Sequence, residues 1–309
     1  VYRWYPDAEL NTCYNAIDRH VLAGRGDQTA IIYDSAMTGT KKFYTYNELL
    51  EKVSSFAGAL AKQGITKGDR VLIYMPMVPE AVFAMLACAR LGAIHSVVFG
   101  GFASVNLAQR IDDAAPKVII CADAGSRAGK VTPYKPLLDK AISLSTRPPE
   151  HVIVVDRGLF EFEPVAGRDL DYATLRTKHD GAKVPVAWLE SSAPSYVLYT
   201  SGTTGKPKGV QRDTGGYAVA LASSMKKIFN GKPGDTYLCT SDIGWVVGHS
   251  YIVYGPLIAG QTTILYEGTP VRPDGGILWS LVERYKVNTM FSAPTAIRVL
   301  KKQDPTLLK

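Results

Sequence analysis

The chain has 309 residues, 46% hydrophobic and 20% charged, enough to bury a sizeable core, and a soluble globular class is expected. Its 35 basic and 28 acidic residues leave a net charge of +7, which suits a protein that handles anions. The cations are scattered, without the basic block that tracks a nucleic-acid backbone, so nucleic acid is set aside as a partner.

Cys13, Cys88, Cys121 and Cys239 are far apart and form no CxxC pair, which favours reduced thiols and a cytoplasmic location, or the mitochondrial matrix in a eukaryote. The five histidines show no metal-ligand spacing, and no run of 18 apolar residues occurs, so neither a metal site nor a membrane span is expected. The opening VYRWYP has no signal-peptide layout and reads as though a segment before it has been removed.

In chain order, 29–33 reads as a strand and 46–63 as a helix, opened by the capping box Thr45-x-x-Glu48 and stopped at Gly64. The pattern then becomes regular: strand 70–74, helix 79–91 ended by Gly92, strand 94–99, helix 104–114, strand 118–121, helix 136–144 and strand 152–155. Several of these strands are unbroken apolar runs, as when helices cover both faces of a sheet. The alternation implies an α/β fold of doubly wound, mostly parallel sheets.

Between 156 and 193 the pattern lapses into Gly, Pro and charge, and a subdomain boundary is expected there. It resumes with strand 196–199, helix 215–229, strands 236–240 and 261–266, helix 276–285 and strand 287–291. A helix from 294 ends with no strand to follow. The expected organisation is an N-terminal segment over 1–45, a first α/β subdomain over 46–190, and a second, incomplete one over 191–309.

Three stretches carry chemistry. Residues 122–130, ADAGSRAGK, follow an apolar strand, and loops at the carboxyl ends of parallel strands are where open α/β sheets bind ligands. A solvated turn with two stray charges is the plainer reading.

Residues 199–210, YTSGTTGKPKGV, combine three glycines, four hydroxyls and two lysines between an apolar strand and a helix. Glycines let backbone N–H groups approach an anion, hydroxyls add donors, and ammonium groups suit phosphate oxygens. The loop is built for a polyphosphate. It departs from the common P-loop, because two residues separate Gly202 from Gly205 and Pro207 follows Lys206. A flexible Gly/Ser/Thr linker is the alternative.

Residues 241–256, SDIGWVVGHSYIVYGP, crowd Trp245, His249, Ser250 and Tyr251 together. The plain reading is a buried apolar helix, against which three glycines count. Gly248-His249-Ser250 begins like a hydrolase elbow, but Ile252 stands where that motif needs glycine.

The order of residues 199–210 resembles the phosphate-binding signature of the AMP-forming acyl-CoA synthetases of the adenylate-forming superfamily. YMPM at 74–77, LACARLGAIHSVVFGGF at 86–102, GGYAVAL at 215–221 and SAPTAIRVL at 292–300 look like the same family, so the likeness covers essentially the whole chain. It implies that Thr200, Ser201, Gly202, Thr203, Thr204, Gly205 and Lys206 hold the ATP phosphates. Thr200 and Lys206 or Lys208 are the candidates for stabilising charge on the leaving pyrophosphate. It also implies that Trp245, Val246 and Val247 form the acyl pocket, and that Gly101, Arg127, Lys130 and Val247 meet coenzyme A. ATP, Mg²⁺ and coenzyme A would be the cosubstrates and cofactor.

Two departures bear on specificity. Val247 stands where the acetate-activating members usually have threonine, and Lys130 stands where arginine is usual, so charge is kept while bidentate geometry is lost. Residues 209–213, GVQRD, look more like the propionate-activating members. The chain lacks the family's adenine-holding segment, the acidic motif near Mg²⁺, the ribose aspartate and the C-terminal domain with the adenylating lysine. It is therefore expected to be inactive by itself. The rivals are the same chemistry on acetate or another acid, and a non-catalytic nucleotide- or CoA-binding module.

Overall fold

The computed structural model describes residues 5–100, 102–127, 130–200 and 207–306, with the backbone alone at 126 and 127. Two mixed sheets organise it. The larger has seven strands in the order Asp169–Asp171, His151–Val155, Val118–Ala122, Arg70–Tyr74, Ile94–Val97, Pro194–Thr200 and Lys208–Asp213. All its neighbours are parallel except the last pair. Val71, Leu72, Ile73 and Tyr74 are all wholly buried, which is why this strand reads as an apolar run rather than an alternation.

The smaller sheet has five strands in the order Thr289–Phe291, Thr236–Cys239, Thr262–Glu267, Thr29–Ser35 and Lys41–Thr45. The first four are parallel and the last is antiparallel. The main core runs from Ile31 and Phe56 through Ile73 and Leu86 to Tyr237 and Leu257, so elements of both sheets share it. A second cluster packs Ile264 and Leu238 against Leu278 and Leu281 of the helix Ile277–Arg284.

The expected helices over 46–63 and 79–91 form as Tyr46–Lys62 and Pro79–Leu91. Thr45 caps the first in a reciprocal box with Glu48, and Gly92 ends the second in the left-handed region.

Four features differ from the sequence expectation. Sheet membership cuts across the boundaries at 45 and 190: the strand Thr29–Ser35 joins the second sheet, and Pro194–Thr200 joins the first beside Ile94–Val97. The phosphate stretch does not run from strand to helix. Lys208–Asp213 is an antiparallel strand ahead of the helix Gly215–Lys227, hidden in the sequence because it is a polar, exposed edge strand.

Residues 122–130 are not a plain loop, since Ala124–Arg127 and Lys130–Pro133 pair as a hairpin. The lapse at 156–193 holds the strand Asp169–Asp171 and the helix Tyr172–Lys178. Their anchor is Lys135, a fully buried ammonium 2.8 Å from Asp169 and 2.6 Å from Asp139.

Candidate functional site

The carboxyl ends of parallel strands from both sheets converge on one cleft. A cavity of ≈ 540 Å³ is walled by Thr240 and Asp242 after one strand, Tyr266 and Thr269 at another, and by Trp245 and Val247. A second, of ≈ 90 Å³, adjoins it through Met77, Asp242, Gly268 and Thr269, and reaches Phe99, Tyr134 and Glu267. This is the edge where open α/β sheets place ligands.

Two glycines put Trp245 and Val247 there by close approach. A Cβ on Gly244 would lie 2.8 Å from Phe99 Cα, and one on Gly248 would run into the Asp242 carbonyl. The chain can therefore cross the Phe99 loop and begin a helix at Val246 without displacing either neighbour. The Trp245 ring packs 5.5 Å from Phe99 and 6.5 Å from Phe102, centroid to centroid, and the Arg110 guanidinium covers Phe102. Trp245, Val246 and Val247 are 48%, 44% and 37% exposed, unusual for three consecutive large apolar residues. Of the three, Val246 lies outside the lining of the cavity.

Beyond Val247 the stretch is a buried helix, as its plain reading had it, with a π turn over His249–Tyr254. The helix makes the elbow reading fail a second time. Ser250 is buried and shares a 2.8 Å hydrogen bond with the Tyr217 hydroxyl inside an aromatic layer. His249 stacks on His95 at 5.3 Å and tilts against Tyr196 at 4.7 Å. Burial holds both imidazoles neutral, lowering the pKa of His249 to about 4 and that of His95 well below its usual value.

Among the phosphate-loop candidates, Ser201, Gly202, Thr203, Thr204, Gly205 and Lys206 lie outside the described residues, while the two posts of the loop lie within them. Thr200 and Lys208 sit directly opposite each other in the hairpin, both exposed. Tyr199, next to Thr200, donates its hydroxyl to Asp113 at 2.6 Å and so ties the hairpin to the helix Ser104–Ala114. Of the coenzyme A candidates, Gly101 lies outside the described residues, as does the Arg127 side chain. Lys130 is exposed on the hairpin after Val118–Ala122 and lines neither cavity that Val247 or Tyr134 lines.

Three residues escaped the sequence reading: Asp242, Glu267 and Tyr134. Burial pushes the Asp242 carboxyl up to about 6, against the pull of the Gly244 N–H, which donates to it at 2.7 Å. Glu267 Oε2 accepts from Tyr33, Ser35 and Arg157 at 2.6, 2.7 and 2.8 Å, while Oε1 has no partner among the described residues. Both carboxylates stand at the carboxyl ends of strands, the positional signal that could have found them. Among the described residues no group of three or more His, Cys, Asp or Glu is placed to hold a metal ion.

Comparison with known proteins identifies the family. Residues 18–308 match the AMP-binding enzyme family. The chain is 59% identical over 300 residues to the propionate–CoA ligase of Escherichia coli (strain K12), covering 97% of this chain and 48% of that protein. It is equally similar to the propionate–CoA ligase of Salmonella typhimurium, with the same coverage. It is 52% identical over 308 residues to the mitochondrial acyl-CoA synthetase short-chain family member 3 of Homo sapiens, covering 98% of this chain and 44% of that one. The chain thus spans about half the length of the curated relatives it matches. With the cleft built at the strand ends and the match running from residue 18 to residue 308, the chain belongs to the AMP-binding enzyme family of adenylate-forming acyl-CoA synthetases.

Proposed function

We propose that the protein carrying this chain activates a short-chain carboxylate, propionate first, with ATP and passes it to coenzyme A. In the first step a carboxylate oxygen bonds to the α-phosphorus of ATP and the bond to pyrophosphate breaks. In the second the coenzyme A thiol loses its proton, its sulfur bonds to the acyl carbon, and the acyl–oxygen bond to AMP breaks. Negative charge grows on the departing pyrophosphate, and donors already in place stabilise it without reorganising. Thr200 and Lys208, fixed opposite each other, are the described members of that set.

The observation that carries the reading is the ≈ 540 Å³ cavity with Trp245 and Val247 in its wall. It is far larger than a three-carbon acid requires and within the range for nucleotide-sized ligands. That supports an acyl adenylate as occupant, with the indole and the valine against the alkyl group. The described wall holds one carboxylate, Asp242, and no cation. A location in the cytoplasm, or in the mitochondrial matrix of a eukaryote, goes with this reading, and Mg²⁺ is expected to accompany ATP.

ATP–pyrophosphate exchange with propionate, acetate and butyrate, run on the complete gene product, tests this. Exchange fastest with propionate is expected, and exchange with none of the three would sink it. Residues 1–309 alone are expected to form no CoA thioester.

A further inference from the structure

Another cavity lies at the other end of the strand Thr236–Cys239. It measures ≈ 660 Å³ and is lined by Arg19, Arg25, Lys226 and Lys232, with Gly231 and Ile258 between them. No carboxylate lines it, and among the described residues none lies within 4.0 Å of any of these four cations. The residues come from the start of the chain, from the C-terminal end of the helix Gly215–Lys227, and from the turn before Thr236. The cavity proposed for the acyl group begins at Cys239. Four strand residues separate the two, roughly 13 Å at the usual rise.

Two of the cations are held in place. His20 is 1% exposed; its Nε2–H donates to the Leu257 carbonyl at 2.8 Å, which leaves Nδ1 to accept from the Arg25 guanidinium at 2.5 Å. Gly24, at φ +78° in a turn only glycine tolerates well, precedes Arg25. Arg19 donates to the carbonyls of Asn15 and Ile258. Such anchoring costs side-chain freedom and places like charges together, and burial and the Arg25 charge both lower the Arg19 pKa.

Surface lysines in the last turn of a helix complement its dipole, which accounts for Lys226 but not for the two arginines. A second sign is independent of charge. Among the described residues, Arg25 Nε is buried without a partner, and so are both polar atoms of the Gln261 amide, a wholly buried side chain. That amide stands directly behind the cavity wall, where a Cβ on Gly231 would come within 2.6 Å of Nε2. An unsatisfied buried guanidinium N–H among cations that no carboxylate pairs is what an anion site looks like without its anion.

We propose that this cavity binds a soluble phosphorylated small molecule of about nucleotide size, its phosphoryl oxygens held by Arg19, Arg25, Lys226 and Lys232. The site is separate from the acyl cavity and stands whether or not the proposed ligase activity does. Guanidinium groups fixed by His20 and by carbonyls offer paired N–H donors, the geometry phosphate takes up best. The two exposed lysines close the mouth.

The test uses the complete gene product and tungstate, a tetrahedral dianion whose position anomalous scattering reveals. Crystals grown with tungstate are expected to show a peak between Arg25 and Lys226. In solution, isothermal titration is expected to count one more tungstate per chain in the wild type than in the Lys226→Gln/Lys232→Gln variant. Both lysines are exposed, so this variant keeps the fold, and its circular dichroism and melting temperature are expected to match the wild type.

A peak confined to the loop at 201–206, an unchanged count in the variant, or carboxylates from outside residues 1–309 seated on these cations would each overturn the proposal. So would binding to phosphatidylglycerol vesicles with none to tungstate, which would make the site a lipid contact.

Discussion

The two ends of the strand Thr236–Cys239 carry cavities of opposite electrical character. At the carboxyl end the wall is mostly apolar with one acid, Asp242, which takes the Gly244 N–H, and the buried Glu267 beside it is paired with Arg157. At the amino end four cations face one space with no acid among them. A mostly apolar cavity whose neighbouring acid is already paired can receive an alkyl group. A cavity whose charges are unbalanced has its counter-charge still to come. The first is a scaffold and the second a receptor.

That contrast can be broken by experiment, most forcefully at Glu267. Glu267→Gln removes the charge facing Arg157 in a nearly dry setting, and breaking such a pair costs about 3–5 kcal/mol. Urea unfolding of the full protein measures it. A loss under 1 kcal/mol would mean that the scaffold end is no better balanced than the other.

Gly248→Ala comes next. Its Cβ would meet the Asp242 backbone, and about 3 kcal/mol of destabilisation is expected, with loss of exchange activity. Gly24→Ala supplies the counterpart: Gly24 has a positive φ but nothing within 4 Å, so only conformational strain of about 1–2 kcal/mol is expected. Equal losses at the two glycines would erase the difference.

A third comparison uses pH. His20 at one end and His249 at the other are both held at a pKa of about 4, chiefly by burial, against 6.5 for a free imidazole. As pH falls from about 6.5 towards 4, the unfolded chain takes up protons that the folded chain refuses, so stability is full above 6.5 and declines through that window. His20→Gln and His249→Gln are each expected to flatten the decline between pH 7 and pH 5. A midpoint that does not move with pH in the wild type would show that these histidines carry no such linkage.

The smallest effect is expected at Val247→Thr, which adds a hydroxyl to the cavity wall proposed for the acyl group and should shift the ratio of kcat/KM for propionate over acetate by several-fold towards acetate. One methylene in such a pocket is worth about 1–3 kcal/mol. An unchanged ratio removes Val247 from the specificity argument.

The sequence disclosed what rests on local pattern. Parallel strands such as Val118–Ala122 announced themselves as apolar runs, and Thr45-x-x-Glu48 marked a helix start that forms as written. Trp245 and Val247 came to notice through the family resemblance, and the structure adds that the glycines on either side make the close approaches that put them at the cavity. What stayed hidden depends on distant partners. Lys208–Asp213 has too little apolar character to read as a strand, and its neighbour supplies the hydrogen bonds that make it one. The order of strands across two sheets is likewise not written in their order along the chain. The basic cavity was invisible for the same reason, since Arg19 and Lys226 look like scattered surface charge until the fold brings them together.

The placement of Thr29–Ser35 has a consequence for biosynthesis. Its parallel neighbour is Thr262–Glu267, some 230 residues further on. At ribosomal speeds of about 5–20 residues per second, the early strand waits roughly 10–50 s for that neighbour to be made. During that interval it has only the short hairpin partner Lys41–Thr45, and its other row of amides and carbonyls stays open. The nascent polypeptide must therefore shield one bare β edge until the greater part of this chain has emerged, which is the kind of interval in which holding chaperones act.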